Sequence, residues 1–314
     1  MNGSRPRRIG TRGSALALWQ ARAVAARLEA AGVQTELVVI KTAGDQLQDA
    51  PLSEAGGKRL FVKEIEEALL KGDVDLAVHS AKDLPAELPG GLAVAATLPR
   101  EDPRDALVLP AGSPCGELAA ALAALGSGPA IATSSVRRVA QLAALVRGAR
   151  FVPVRGNVDT RLRKLDAGSC DALVLASAGM RRLGYASRIT AAIPFDACVP
   201  APGQGIVAVQ IRADDDRTRH VLETVHDPQA GVSLAAERAL VSSLGGGCQL
   251  PLGAIAVRDG SELEMHAVVA SPDGTRTIRR RGRGPASDPE ALGRRLAGEL
   301  AREGAIEILD AVRR

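Results

Sequence analysis

Short apolar runs alternate with longer stretches in which apolar residues recur every third or fourth position, and this alternation dominates the first half of the chain. A run bounded by turn residues reads as a buried strand, and a 3.6-residue period reads as an amphipathic helix. The pattern predicts a strand over Arg7–Thr11, a helix over Ala15–Ala30 capped by Ser14, a strand over Glu36–Thr42, a helix over Phe61–Lys71 and a strand over Val74–His79. After the Pro/Gly-rich stretch Leu109–Pro114 the alternation restarts, with strands over Ala130–Thr133, Phe151–Val154 and Ala172–Ala176 and helices over Ser135–Arg147 and Asp159–Leu165. Strand and helix in strict alternation make a parallel α/β sheet, so the pattern predicts two α/β domains.

The order then changes. Val199-Pro200-Ala201-Pro202-Gly203-Gln204-Gly205 is a breaker rich in turn residues, and the apolar strand Ile206–Ile211 behind it is free to join either sheet. Beyond Val232 come a helix over Ser233–Leu244, a glycine loop, strands over Ile255–Arg258, Glu262–Ala270 and Thr275–Arg281, and helices over Pro289–Glu303 and Ala305–Val312. Strands grouped apart from helices indicate a small α+β domain. At 314 residues the chain exceeds one ordinary core, and it contains no repeat at solenoid spacing.

Four cysteines, Cys115, Cys170, Cys198 and Cys248, lie far apart with no C-x-x-C pair, so neither a zinc site nor a disulfide framework is signalled. The basic N-terminus leads into a strand rather than an apolar signal segment, and no stretch reaches membrane-spanning length, which gives the expectation of a cytoplasmic protein without membrane contact. Net charge is +4, but only six of the forty basic residues are lysine. Arginine cannot lose its proton at neutral pH and grips carboxylate or phosphate bidentately, so the bias suits a polyanionic ligand. Biased nucleotide usage accounts for such a count but not for arginines placed in loops. Aromatics make up 2% of the chain, too few for base-stacking platforms, and no helix-turn-helix signal is present, so nucleic acid is disfavoured.

Ligands of open α/β sheets gather at the carboxyl ends of strands. Five polar loops fall there: Thr11-Arg12-Gly13-Ser14, His79-Ser80-Ala81-Lys82-Asp83-Leu84-Pro85, Thr133-Ser134-Ser135-Val136-Arg137-Arg138, Arg155-Gly156-Asn157-Val158-Asp159-Thr160-Arg161 and Ala178-Gly179-Met180-Arg181-Arg182. Together they imply a cleft lined with guanidinium groups and helix N-termini, selective for several negative charges. Asp83 is the exception, since a carboxylate weakens an anion site. It points to the handling of positive charge or a proton, against the alternative of an ion pair with Lys82 or a neighbouring arginine. His79, His220, His226 and His266 have no metal-ligand spacing; His79 reads as satisfying a hydrogen bond at its strand end, and Trp19 as packing on the first helix. In Gly245-Gly246-Gly247-Cys248-Gln249-Leu250-Pro251 three glycines remove every Cβ that would crowd the thiol, which presents Cys248 to a bulky group. The competing reading is a glycine helix stop followed by a half-buried cysteine.

These loops, with Gly57-Lys58-Arg59-Leu60-Phe61-Val62-Lys63-Glu64 and Pro202-Gly203-Gln204-Gly205, closely resemble the porphobilinogen deaminase (hydroxymethylbilane synthase) family, with motifs in the same order from Arg8 to the final helices. One departure is Arg59, where a glycine is common. The resemblance implies an α/β fold of two periplasmic-binding-protein-like domains with a small C-terminal α+β domain: residues 1–108 with 201–225, 109–200, and 226–314. It implies a transferase of porphyrin (heme) biosynthesis that joins four porphobilinogen molecules head to tail, releases ammonia and hydrolyses the product to hydroxymethylbilane. The cofactor it implies is a dipyrromethane primer held as a thioether on Cys248. Asp83 is then the catalytic residue, supporting the pyrrole N–H groups and the cationic intermediate.

By the same resemblance Lys58, Ser80, Lys82, Asp83, Ser135, Arg137, Arg138, Arg155 and Gly156 contact the cofactor. Arg12, Ser14, Arg155, Arg161 and Arg182 take the substrate's carboxylates. The glycine pair Gly56-Gly57 next to Lys58 reads as a flexible part of a lid over the cleft. No metal is implied. The partner implied is the small-molecule substrate porphobilinogen, with no nucleic acid and no membrane, in a monomer with hand-over of product to the next pathway enzyme. The rival reading is a two-domain anion-binding protein without chemistry, which explains the arginine loops but has no need of Asp83 or Cys248.

Overall fold

The computed structural model describes residues 5–46, 62–246 and 250–313. In chain order the elements begin β1 (Arg7–Thr11), α1 (Ala15–Ala30), β2 (Thr35–Val39), α2 (Ala43–Gln46), α3 (Lys63–Lys71), β3 (Leu76–Ser80), β4 (Leu92–Thr97) and β5 (Asp105–Val108). They continue with α4 (Leu118–Ala124), β6 (Ala130–Ala132), α5 (Val136–Leu145), β7 (Arg150–Val152), α6 (Val158–Asp166), β8 (Ala172–Ala176), α7 (Ser177–Arg182) and β9 (Ala191–Ile193). The last are β10 (Val207–Arg212), α8 (Asp216–Glu223), α9 (Pro228–Ser243), β11 (Leu252–Asp259), β12 (Glu262–Ala270), β13 (Thr277–Pro285), α10 (Pro289–Arg302) and α11 (Ala305–Arg313). The chain divides into two compact units, Met1–Arg100 with Ile206–Gly231 and Glu101–Gly205 with Val232–Arg314.

The first unit holds a five-stranded sheet in the order β2-β1-β3-β10-β4. β1, β2 and β3 run parallel, and β10 pairs antiparallel with both β3 and β4, so the strand after Gly205 joins this sheet. Its apolar side chains, with those of α1 and α8, form one core around Ile9, Val24, Leu28, Leu76 and Val209. Both faces of the central strands are covered, which is why they read as continuous apolar runs. Ser14 accepts a hydrogen bond from Ala17 N at 3.3 Å and so fixes where α1 starts. Gly72 ends α3 in the left-handed conformation, which a residue without Cβ adopts at no steric cost.

The second unit holds two sheets. The five-stranded one runs β7-β6-β8-β5-β9, with β6, β7 and β8 parallel and β5 antiparallel to its neighbours. The three-stranded antiparallel sheet runs β11-β12-β13. Odd positions of β12 (Leu263, Met265, Ala267, Val269) are buried, and α10 and α11 pack on this sheet. On the other face Ile255 and Val268 pack on Val199 and Phe195, residues from the end of the five-stranded half. Gly253 permits this approach, because a Cβ there would stand 2.6 Å from Val199 O.

Several boundaries differ from the sequence expectation. The second strand stops at Val39 instead of Thr42, because its parallel register with β1 ends at Thr11. The helix expected from Ser233 begins at Pro228, where the Asp227 carboxylate accepts from Ala230 N at 2.7 Å. β4, β5, β9, α2, α4, α7 and α8 went unpredicted; β4 is alanine-rich, α8 is mostly polar, and α7 is too short to show a period.

Candidate active site

In the first unit the site residues cluster around the carboxyl ends of β1 and β3. Arg12 follows β1, half-buried, and Ser14 caps α1. Ser80 ends β3, where its hydroxyl accepts from Gln20 Nε2 at 2.8 Å. A single 3-10 turn, Ala81–Asp83, then carries Lys82 and Asp83, both half-buried. The turn is tied down by Ala81 N donating to Ile206 O at 2.9 Å. The Asp83 carboxylate makes no hydrogen bond or ion pair with another described residue, so among those residues the alternative of an ion pair with Lys82 or a neighbouring arginine is not realised.

His79 departs from the expectation of a satisfied strand-end histidine. Its Nε2 is buried without a hydrogen-bond partner, as is Gln210 Oε1 on the neighbouring strand. Burial, helped by the charge of Arg12 and opposed by Gln210, pulls the imidazole down to about 4. It therefore stays neutral at ordinary pH. Gln210 in turn donates from Nε2 to the buried Glu66 carboxylate at 3.1 Å. Trp19, expected to pack on the first helix, sits on α1 with 39% of its surface exposed.

The second unit collects the arginines. Ser135 is the N-cap residue of α5 but spends no side-chain bond on the cap. Arg137 and Arg138, in the first turn of α5, turn inward onto Asp105 at the start of β5. Arg137 Nη1 donates to Asp105 Oδ2 at 2.7 Å and to Val199 O at 2.7 Å, with Cys198 Sγ at 3.4 Å. Arg138 donates to Asp105 Oδ1 from Nη2 at 2.8 Å and from Nε at 3.0 Å, and to Val174 O from Nη1 at 2.9 Å. Gln204 Nε2, from the Pro202-Gly203-Gln204-Gly205 turn, reaches the same carboxylate at 3.0 Å. Burial opposes the charge on Asp105, but the two guanidinium groups outweigh it and hold the carboxyl far below its usual range. The same burial pushes the Cys198 thiol up to about 12, which makes it inert as a nucleophile.

Arg155 and Gly156 form the next loop, and Arg161 follows on α6. Arg161 Nε donates to Gly156 O at 2.7 Å. Gly156 has φ +103°, and a Cβ there would come within 2.8 Å of Thr160 Cγ2, so only glycine fits the turn. Burial first, then the charges of Arg138 and Arg155, lowers Arg161 to about 10. Arg182, at the end of α7, is lowered to about 10 by burial, against the pull of Glu101, and donates to Gly205 O at 2.6 Å. Cations crowded this way are stabilised by an incoming carboxylate. Lys58, Gly56-Gly57, Arg59 and Cys248 lie outside the described residues.

Three residues that shape the site were not anticipated. Asp105 sits in a charged stretch, Glu101-Asp102-Pro103-Arg104-Asp105, that reads as a solvated loop; only the apolar Ala106-Leu107-Val108 behind it hints at burial. Gln141 binds the Val199 peptide from α5, accepting from Val199 N at 2.8 Å. Glu237 is fully buried on α9 and accepts from Gly203 N at 2.6 Å and Ala256 N at 2.8 Å, linking the glycine turn to β11.

Comparison with known proteins bears on this arrangement. The family model described as porphobilinogen deaminase, dipyromethane cofactor binding domain, matches residues 7–220, and the model of the porphobilinogen deaminase C-terminal domain matches residues 232–302. The chain belongs to the porphobilinogen deaminase family. Porphobilinogen deaminase of Geobacter sulfurreducens is 44% identical over 96% of this chain and 93% of its own length, and that of Geotalea uraniireducens is 42% identical over the same shares. Members of the porphobilinogen deaminase family are transferases of tetrapyrrole synthesis. Among solved structures, the periplasmic VFT2 domain of Bordetella pertussis BvgS aligns with a TM-score of 0.41 and 16% identity over 70% of this chain and 86% of that one. The L-cystine solute receptor of Neisseria gonorrhoeae aligns with a TM-score of 0.40 and 15% identity over 76% and 92%. No helix among the described residues is long and apolar enough to cross a membrane, and no cluster of metal-ligating side chains occurs among them.

Proposed function

We propose that the chain condenses four porphobilinogen molecules head to tail with loss of ammonia and hydrolyses the product to hydroxymethylbilane, on a dipyrromethane carried by Cys248. The observation that carries this reading is a division of labour. Carboxylate-seeking cations, Arg155, Arg161 and Arg182, crowd the second unit, while the first offers one half-buried carboxylate, Asp83, that no described residue neutralises. A simple anion binder needs the cations but not the acid. The donor set fits a group bearing acetate and propionate arms on pyrrole rings with N–H donors.

When bound, the dipyrromethane supplies the nucleophilic terminal pyrrole carbon. The protein's own part is to hold and to balance charge. Asp83 accepts from pyrrole N–H groups and offsets the positive charge that develops on the substrate as ammonia leaves. Lys82 and Ser80 flank it as further donors beside the cofactor, with Lys58. Ser135, whose hydroxyl is not spent on its cap, and Arg137, through the edge not bound to Asp105, take the cofactor's acidic arms. Arg138, with Nε, Nη1 and Nη2 all engaged by the protein, contributes through its charge. Arg155 and the Gly156 backbone bind at the next turn, and Arg12, Ser14, Arg161 and Arg182 take the incoming substrate's carboxylates.

This reading carries the three-domain division 1–108 with 201–225, 109–200, and 226–314, and a monomer working in the cytoplasm that passes its product to the next enzyme. The test is the intact mass of protein expressed in cells that make porphobilinogen. It should exceed the sequence mass by one dipyrromethane, the excess should vanish in Cys248→Ser, and mixing with porphobilinogen should release ammonia. Active protein of unmodified mass overturns the reading.

A further inference from the structure

The residues assigned to the cofactor leave unexplained a buried side chain beneath them. Gln141 lies one turn after Arg137 on α5, 3% exposed. Its Oε1 accepts from Val199 N at 2.8 Å and its Nε2 donates to Val199 O at 3.1 Å, so one amide grips both polar atoms of one residue's backbone. Val199 O is also the acceptor for Arg137 Nη1 at 2.7 Å. With Asp105 Oδ2 at 2.7 Å, both hydrogens of Nη1 are committed, and the guanidinium plane is set by two anchors. One of them, the Val199 carbonyl, is itself placed by Gln141.

The C-terminal sheet braces the same short segment from its other side. Arg279 on β13 donates to Asp196 O at 2.8 Å and approaches Ala197 O at 3.4 Å, and Ala254 N on β11 donates to Pro200 O at 2.9 Å. The β12–β13 hairpin closes directly on α5. Gly274 at its tip has φ +72°, and a Cβ there would stand 2.8 Å from Ala140 O and 3.0 Å from Ala143 Cβ. Residues 194–200 are thus clamped between α5 and the sheet that follows the cysteine loop.

We infer that Gln141 is a positioning residue for Arg137: by fixing the Val199 peptide it orients the guanidinium so that its Nη2 and Nε edge is presented to the cofactor's acidic arm. The inference rests on the assignment of Arg137 to the cofactor. A side chain that only fills core would not need to place both an acceptor and a donor on one backbone unit. Gln141→Met keeps the volume and removes both bonds, leaving the Val199 peptide to set its own angle.

The test is loading of full-length apoprotein with porphobilinogen, read as intact mass rather than activity. Wild type should load, and Gln141→Met should need about tenfold more porphobilinogen for half-loading, a change of about 1.4 kcal/mol. The Val199 amide should exchange with solvent at least tenfold faster in the variant. In an Arg137→Lys background Gln141→Met should add little, because coupled residues do not add. Gln141→Glu, which keeps the acceptor for Val199 N but sets a carboxylate oxygen against Val199 O in place of the donor, is the second variant and should shift half-loading at least threefold. Wild type that never loads sinks the cofactor assignment itself. Wild type that loads while Gln141→Met loads equally well, or with an undiminished shift when Arg137 is Lys, sinks the positioning role alone.

Discussion

Asp105 Oδ2 and Arg137 Nη1 stand 2.7 Å apart, the carboxylate fully buried and the arginine side chain 5% exposed. With Arg138 on its other oxygen, one carboxylate balances two guanidinium groups that begin α5. Removing one member of a buried ion pair costs far more than the pair contributes, because a charge is left uncompensated. Asp105→Asn keeps the shape and strands both arginines. We expect a loss of about 3–5 kcal/mol in unfolding free energy by chemical denaturation. Because the folded carboxyl titrates below its unfolded value, its stabilisation is complete above about pH 4 and drains away as pH falls below that. The asparagine variant should show a shallower acid limb, and equal limbs would remove Asp105 from this role.

Asp83 makes the complementary case: a carboxylate that costs little to remove from the fold. It bonds to no described residue, so Asp83→Asn should leave the melting temperature and the dipyrromethane adduct intact. Turnover should fall by roughly 10² or more if the group balances charge or moves a proton at the reacting centre. Measuring adduct mass and turnover on the same preparation decides it. Near-wild-type turnover would return Asp83 to the surface charges.

What the sequence revealed and what it hid divide along the range of the interactions. Ser14 and the α1 period were legible because a cap and a helical repeat are each written within a few neighbouring residues. The arginine pair was legible as a motif, but the carboxylate that holds it lies more than thirty positions earlier, at the head of a four-residue strand. No local pattern joins Asp105 to Arg138. Gln141 was hidden for the same reason, since its partner is a backbone peptide fifty-eight positions away. The orphaned His79 nitrogen was misread because strand-end histidines usually meet solvent or a carbonyl, and this one is sealed by β10 returning from a distant part of the chain.

That sealing has a pH signature. His79 is neutral in the fold down to about 4 but takes a proton near 6.5 when unfolded. The unfolded chain therefore binds the extra proton first, so the native state is penalised as pH falls from 6.5 towards 4 and unaffected above that window. At 1.36 kcal/mol per unit the penalty reaches roughly 3 kcal/mol at pH 4. Urea unfolding of wild type and His79→Gln at pH 7 and pH 4 should show the two stabilities drawing together by about that amount at the lower pH. A gap between them that is independent of pH would mean that the imidazole reaches solvent.

The crossing of α9 and α10 offers a test within one helix. Gly293 on α10 faces α9 so closely that a Cβ would collide with the Ala236 carbonyl oxygen and stand 2.9 Å from Leu240 N and 3.0 Å from Ala239 Cβ. Two of these are backbone atoms, which cannot yield as a flexible side chain would. Gly298, five residues on in the same helix, has no heavy atom within 4 Å of the equivalent position. Gly298→Ala should therefore stabilise the protein by roughly 0.5–1 kcal/mol through helix propensity, while Gly293→Ala should destabilise it by about 1–3 kcal/mol through overpacking. α9 ends at Ser243, shortly before Cys248 in the sequence, so forcing the helices apart should also slow loading of the dipyrromethane in Gly293→Ala and leave it unchanged in Gly298→Ala. Two alanine variants of the same sign in denaturation midpoint would show that the helices do not cross at Gly293 with the closeness described.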